Sequence, residues 1–226
     1  MLKKFVRTMA YIGGIATGFY LFASAPGIHK KTKWQHLTGW DYAHRGLYDN
    51  EHGIPENSMA AFRRAVDKGY GIELDVHLTA DNQLVVFHDD TLTRMCGMNK
   101  KISSFLYSDL MQLRLLGTEE GIPLFKDVLE LIDGKVPLII ELKVDGSNQN
   151  LLCPLVWQLL SRYKGDYCIE SFHPFVLQWF KRHEPQVVRG QLSCNFFKEN
   201  PHCDIVLFLM SNLMTNFFYT SGLYCL

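Results

Sequence analysis

Two histidines, four acids and two cations stand at the ends of strand-like runs, in His44-Arg45-Gly46, Glu73-Leu74-Asp75, His88-Asp89 and Glu141-Leu142-Lys143. Taken alone, a carboxylate at a strand end is most often solvated, and a histidine beside a strand is most often structural. Together they describe a site. Glu73 and Asp75 are two residues apart, so on an extended strand both side chains leave one face, separated by about 7 Å at the Cα level. One cation can bridge them. Glu141 supplies a third carboxylate, with Lys143 two residues on and facing the same way. An all-oxygen set suits a hard ion such as Ca²⁺ or Mg²⁺. An imidazole that titrates near neutrality can take a proton from a nucleophile and return one to a leaving group, as in-line displacement at phosphorus requires. Arg45 offers phosphate oxygens a planar fork and Lys143 a point charge. The chemistry implied is phosphodiester cleavage.

These groups need a frame. From Trp40 onward, apolar runs alternate with helical patterns. Strands are expected at residues 41–44, 71–78, 84–88, 136–142, 167–172 and 187–192, where short apolar runs end in turn residues. Helices are expected at 59–68, behind an Asn57-Ser58 cap and closed by Gly69, and at 124–132, 151–163 and 175–183. Such alternation points to a parallel α/β architecture, most simply a barrel. The link between the second and third strands, Thr79-Ala80-Asp81-Asn82-Gln83, is too short for a crossover helix, since parallel strands need about a dozen residues between them. An antiparallel hairpin is expected there. Folding it about Asp81-Asn82 lays His88 opposite Leu74, beside both Glu73 and Asp75.

The residues also resemble a known family. His44-Arg45-Gly46, Pro55-Glu56-Asn57-Ser58 with Ala61-Phe62, Glu73-Leu74-Asp75-Val76, Thr79-x-Asp81, Val85-Val86-x-His88-Asp89, Leu92-Thr93-Arg94, Ile122-Pro123-Leu124 and Glu141-Leu142-Lys143 are similar in type and order to glycerophosphodiester phosphodiesterases. Ser171-Phe172 and Arg189-Gly190-Gln191-Leu192 extend the resemblance to about residue 193. It implies a TIM-like barrel with the histidine-bearing hairpin at its mouth, and a divalent cation, often Ca²⁺ or Mg²⁺, held by Glu73, Asp75 and Glu141. It also implies that His44 and His88 are the acid/base pair, that Arg45 and Lys143 contact phosphate, and that Glu56 and Asn57 belong to a loop at the same mouth. Residues 91–122 match a small insertion over the site. The reaction implied splits glycerophosphodiesters into glycerol 3-phosphate and an alcohol.

Composition bounds the alternatives. With 226 residues, 47% of them hydrophobic, the chain can bury one sizeable core. Lys plus Arg equals Asp plus Glu at 23 each, so no long-range field recruits nucleic acid, which is not expected as a partner. The six cysteines have no zinc-ligand spacing and are expected as buried free thiols. Nothing in the pattern sets an oligomeric state. An uncharged run from Thr8 to Ile28, flanked by Lys3, Lys4 and Arg7 and by Lys30, Lys31 and Lys33, is long enough to span a bilayer. Residues 1–39 are therefore expected to form a single-pass membrane anchor and linker, and 40–226 the catalytic domain. Ala23-Ser24-Ala25 offers the alternative of a cleaved signal and a secreted protein. The family's last strand motifs are missing after residue 193, which predicts a barrel incomplete at its C-terminus. The uncharged run at 205–226 reads as a barrel helix with an abbreviated strand, or as a second membrane segment. Three functions compete: a glycerophosphodiester phosphodiesterase, a lysophospholipase D-like enzyme acting on a lipid, and an inactive truncated fragment.

Overall fold

Short apolar strands and amphipathic helices alternate as the pattern predicts. The computed structural model describes residues 2–24, 34–194 and 223–225. Helix α1 (Leu2–Ser24) precedes strand β1 (Tyr42–His44), helix α2 (Met59–Lys68) and the hairpin strands β2 (Gly71–Leu78) and β3 (Leu84–Val86). The short helices α3 (Thr93–Cys96) and α4 (Tyr107–Leu110) come next, followed by α5 (Phe125–Ile132) and β4 (Leu138–Leu142). Helix α6 (Gln149–Leu160), β5 (Tyr167–Ser171), α7 (Pro174–His183), β6 (Val188–Leu192) and β7 (Leu223–Cys225) complete the order.

The seven strands among the described residues join one sheet in the order β1-β2-β4-β5-β6-β7, each neighbouring pair on that path parallel, with β3 antiparallel to β2. This is the winding of a (β/α) barrel. Among the described residues no ladder joins β7 to β1. Residues 195–222 lie outside the described ones, and with them most of the C-terminal stretch for which a helix, a membrane segment or missing strands were expected. The last part of that stretch forms β7, paired in parallel with β6 at Gly190↔Leu223.

Alternation along the strands sorts side chains into two environments. Ile72, Leu74 and Val76 of β2, Leu138, Ile140 and Leu142 of β4 and Ile169 of β5 pack against Phe62, Phe125, Val128, Ile132, Val156 and Phe180 from the helices. The intervening positions Glu73, Asp75 and Glu141 are thereby left to the other face. In β3 and the residue after it the same period divides two cores: Leu84 and Val86 join the main one, while Val85 and Phe87 join Leu92, Met95, Ile102, Leu110, Leu115 and Ile122 in a second. The 91–122 excursion is thus a packed unit.

Local signals set the helix ends. Ser58 caps α2, its Oγ accepting from the Ala61 N–H at 3.1 Å, and Gly69 closes it at φ 72°. The turn after β1 presses on the same helix. Gly46 has φ 80°, and a Cβ there would stand 2.9 Å from Ala61 Cβ. Gly46→Ala is expected to cost about 1–3 kcal/mol from strain and overpacking, read as a lower urea midpoint with unchanged m.

Helix α1 forms, but no helix among the described residues is long and apolar enough to cross a membrane. Lys3, Lys4 and Arg7 fall inside α1, and Thr8, Tyr11, Gly13, Gly14, Thr17, Gly18 and Tyr20 dilute the apolar run. Residues 25–33, which carry the end of the cleavage-like motif, lie outside the described residues. The expected linker is partly folded: Leu37 is buried, and its carbonyl accepts from Tyr42 Oη at 2.8 Å. The thiols also differ. Cys153 and Cys168 are buried, but Cys96 and Cys194 are only partly so.

Candidate active site

Parallel register brings the acids together. Glu73 pairs across from His44 on β1, and Asp75 from Glu141 on β4. Ligand oxygens of Glu73, Asp75 and Glu141 all lie within 4.8 Å of one another. The hairpin has the expected register: Val76↔Val86 continued by two residues sets His88 opposite Leu74, and Phe87 N–H donates to the Asp75 carbonyl at 3.0 Å. His44 Nε2 stands 3.8 Å from Glu73 Oε2, and His44 lies close enough to His88 to feel its charge. Burial, then Arg45, lowers the His44 pKa. The cleft beside them measures ≈520 Å³ and is lined by His88, Glu141 and Lys143, with Ser171 at the end of β5, Phe172 and His173 after it and Cys194 after β6.

The cations are bound to the acids. Lys143 Nζ lies 3.0 Å from Asp75 and 2.8 Å from Glu141. Arg45 Nη1 donates to Glu56 Oε1 at 2.9 Å, its Nε is 3.8 Å from Asp75, and its backbone N–H donates to Glu73 at 3.0 Å. Asn57 Nδ2 donates to Asp75 at 2.9 Å. Arg45 and Asn57 both adopt left-handed backbone, at φ 58° and 53°, joined by a bond from Asn57 N–H to the Arg45 carbonyl. Strained residues of this kind cluster at functional sites.

Charge is unevenly settled in this cluster. Burial and the Asp75 charge push Glu73 up to about 8. Burial pushes Glu141 up to about 7, outweighing Lys143. Burial opposes ionisation of Asp75 too, but Lys143 and His88 prevail and its pKa is lowered. Three oxygens that repel as anions, two of them on buried side chains, with Asn57 Oδ1 buried and unpartnered beside them, fit a hard divalent ion. A pH effect follows. With folded pKa values above the ordinary 4.5, Glu73 and Glu141 bind more protons folded than unfolded, so ion-free stability should fall as pH rises from about 4.5 to 8. Melting curves across that range should show the fall, and added Ca²⁺ or Mg²⁺ should flatten it.

All nine sequence-predicted site residues therefore gather at one end of the sheet, Glu56 and Asn57 through Arg45 and Asp75. Several neighbours carried no assigned role. His77, on the Glu73/Asp75 face by simple alternation, is buried with Nε2 3.2 Å from the His88 carbonyl. Glu170 on β5 is buried in register with Glu141, again legible from alternation. Asp89 and Arg94 join His88 to Glu56, and His173 lines the cleft. No spacing rule links these last three to the acids.

A barrel-like sheet with buried acids, two histidines and two cations at one end of its strands defines a class. The chain belongs to the glycerophosphoryl diester phosphodiesterase family, whose model matches residues 44–195. Its fold is accordingly TIM-barrel-like. It is 32% identical to lysophospholipase D GDPD1 of Rattus norvegicus over 172 residues, 70% of this chain and 52% of that protein. It is 34% identical to a glycerophosphodiester phosphodiesterase of Caldanaerobacter subterraneus over 166 residues, 66% of this chain and 65% of that one. The chain thus spans about half the length of the first of these relatives. Among solved structures it resembles an Oleispira antarctica phosphodiesterase in complex with the product sn-glycerol-3-phosphate, at TM-score 0.65 and 26% identity, over 73% of this chain and 69% of that one.

Proposed function

We propose that the protein is a metal-dependent phosphodiester hydrolase that cleaves glycerophosphodiesters to glycerol 3-phosphate and an alcohol. The observation that carries this reading is the Glu73/Asp75/Glu141 cluster flanked by His44 and His88. The relative named for that activity and the neighbour holding sn-glycerol-3-phosphate support it.

Glu73, Asp75 and Glu141 would hold Ca²⁺ or Mg²⁺, which when bound polarises a phosphoryl oxygen. Lys143, already between Asp75 and Glu141, places a positive charge at the cleft wall for a phosphate oxygen, and Arg45 offers a second at the β1 end. One imidazole takes the proton from the glycerol hydroxyl next to the phosphoester as that oxygen bonds to phosphorus. The other protonates the departing alcohol oxygen. Water then opens the resulting cyclic phosphate with the two proton transfers reversed.

A second reading, favoured by the lysophospholipase D relatives and by the exposed apolar side chains of α1, is that the alcohol is lipid-borne. In that reading α1 attaches the catalytic unit to a bilayer surface. Assaying the full chain on glycerophosphocholine and on lysophosphatidylcholine vesicles separates the two. Release of glycerol 3-phosphate from the soluble substrate alone supports the first, faster lysophosphatidic acid release supports the second, and no turnover of either overturns both.

A further inference from the structure

Arg94 opens the excursion between β3 and α5, yet it bonds two carboxylates at the site at once. Its Nε and Nη2 donate to Asp89 Oδ2 and Oδ1 at 2.8 and 2.9 Å. Its Nη1 and Nη2 donate to Glu56 Oε2 and Oε1 at 2.9 and 2.7 Å. Glu56 is buried, and its Oε1 also accepts from Arg45 Nη1. Asp89 Oδ1 in turn lies 2.7 Å from His88 Nδ1. A continuous line of charge-assisted bonds therefore runs from Arg45, at the end of β1, through Glu56, Arg94 and Asp89 to His88.

We propose that Arg94 is a positioning residue for the reaction: by fixing Asp89 in one plane, it keeps the His88 Nδ1–H donating to that carboxylate and Nε2 available for proton exchange with substrate. The proposal rests on the phosphodiesterase reading above. Imidazole has two nitrogens, and the hydrogen bond made at one decides the state of the other. A carboxylate left to rotate would impose no such choice. The Arg94 fork occupies both Asp89 oxygens, and Glu56, itself gripped by Arg45, occupies the rest of the fork. Asp89 stays an acceptor: burial opposes its ionisation, but Arg94 and His88 hold its pKa down to about 2. The His88 backbone is separately fixed, its carbonyl lying 3.2 Å from His77 Nε2, which leaves the ring as the part needing a partner.

A purely structural role, stapling the 91–122 unit to the barrel, explains the geometry less well. That unit has its own core, and a second latch is provided by Lys101 Nζ and Ser103 Oγ donating to Asp145 after β4. Arg94 is also 45% exposed, and its buried partner Glu56 keeps the Arg45 bond when Arg94 is removed.

The test compares the full-length parent with Arg94→Ala and Arg94→Lys, with Ca²⁺ or Mg²⁺ present, by steady-state kinetics on whichever of the two substrates the parent cleaves. It adds melting curves and the ¹⁵N ring signals of His88 without substrate. In Arg94→Ala, kcat should fall about 10–100-fold with KM and melting temperature close to parental, as for loss of a partner that orients a working imidazole. The His88 ring should shift from a single Nδ1–H form to a mixture, and millimolar guanidinium should restore part of the turnover. Arg94→Lys keeps the charge but loses the fork, and should fall between. Parental kcat and ring signals in both variants overturn the proposal, as does a kcat loss matched by a lower melting temperature with the ring unchanged. If the parent turns over neither substrate, the functional reading falls, and the ring signals alone decide whether Arg94 sets the state of His88.

Discussion

Glu73→Gln should lower turnover by about 100-fold or more and abolish the rise in melting temperature that Ca²⁺ or Mg²⁺ produces, while leaving the ion-free protein as stable as the parent. With its pKa pushed up to about 8, the Glu73 carboxyl is already largely protonated in the ion-free protein at neutral pH, so an uncharged amide of the same shape replaces it without loss. The Arg45 N–H that bonds Glu73 at 3.0 Å can still be accepted by the amide oxygen. What disappears is one anionic ligand of three, and with it most of the cation's charge stabilisation in the transition state, a contribution of several kcal/mol. Asp75→Asn is a poorer probe, because Asp75 is fully buried against Lys143 at 3.0 Å and Asn57 at 2.9 Å. Removing its charge would leave Lys143 partly unpaired and would cost folding as well. Paired melting and kinetic measurements on Glu73→Gln therefore isolate the ion.

His88→Ala and His44→Ala should each lower kcat by about 10²–10⁴-fold at saturating metal, the usual range for loss of a general acid or base. His44 is 64% exposed, so its removal should leave the melting temperature near the parental value. Because the two imidazoles serve the same bond-making and bond-breaking step, the double variant should lose little beyond the worse single one. Single-turnover rates of the three variants check this. Losses that multiply would mean that the histidines act in separate steps.

Much of the frame was readable because it obeys local rules. The five-residue link Thr79–Gln83 forbids a parallel crossover, and folding it put His88 opposite Leu74, where the observed Val76↔Val86 register also places it. Two-residue spacing put Glu73 and Asp75 on one face, and Ser58 and Gly69 marked the ends of α2. What escaped was nonlocal. Arg94 reaches Glu56 across 38 residues, and only the packing of Leu92, Met95 and Ile102 against Val85 and Phe87 brings it there. Arg45 and Lys143 were expected near the acids, but not that the cluster itself would engage them, since the partner of Lys143 is set by the β2–β4 register. For α1, the length of the helix was legible from the uncharged run, and the helix spans Leu2–Ser24.

The most direct measurement is glycerol 3-phosphate release from glycerophosphocholine by the purified full chain, in excess chelator and after titration back with Ca²⁺ or Mg²⁺. The site described here predicts no release in chelator and saturable restoration by one of the two ions, lost in Glu73→Gln. Release that persists in chelator, or that survives in Glu73→Gln with unchanged ion dependence, would contradict it.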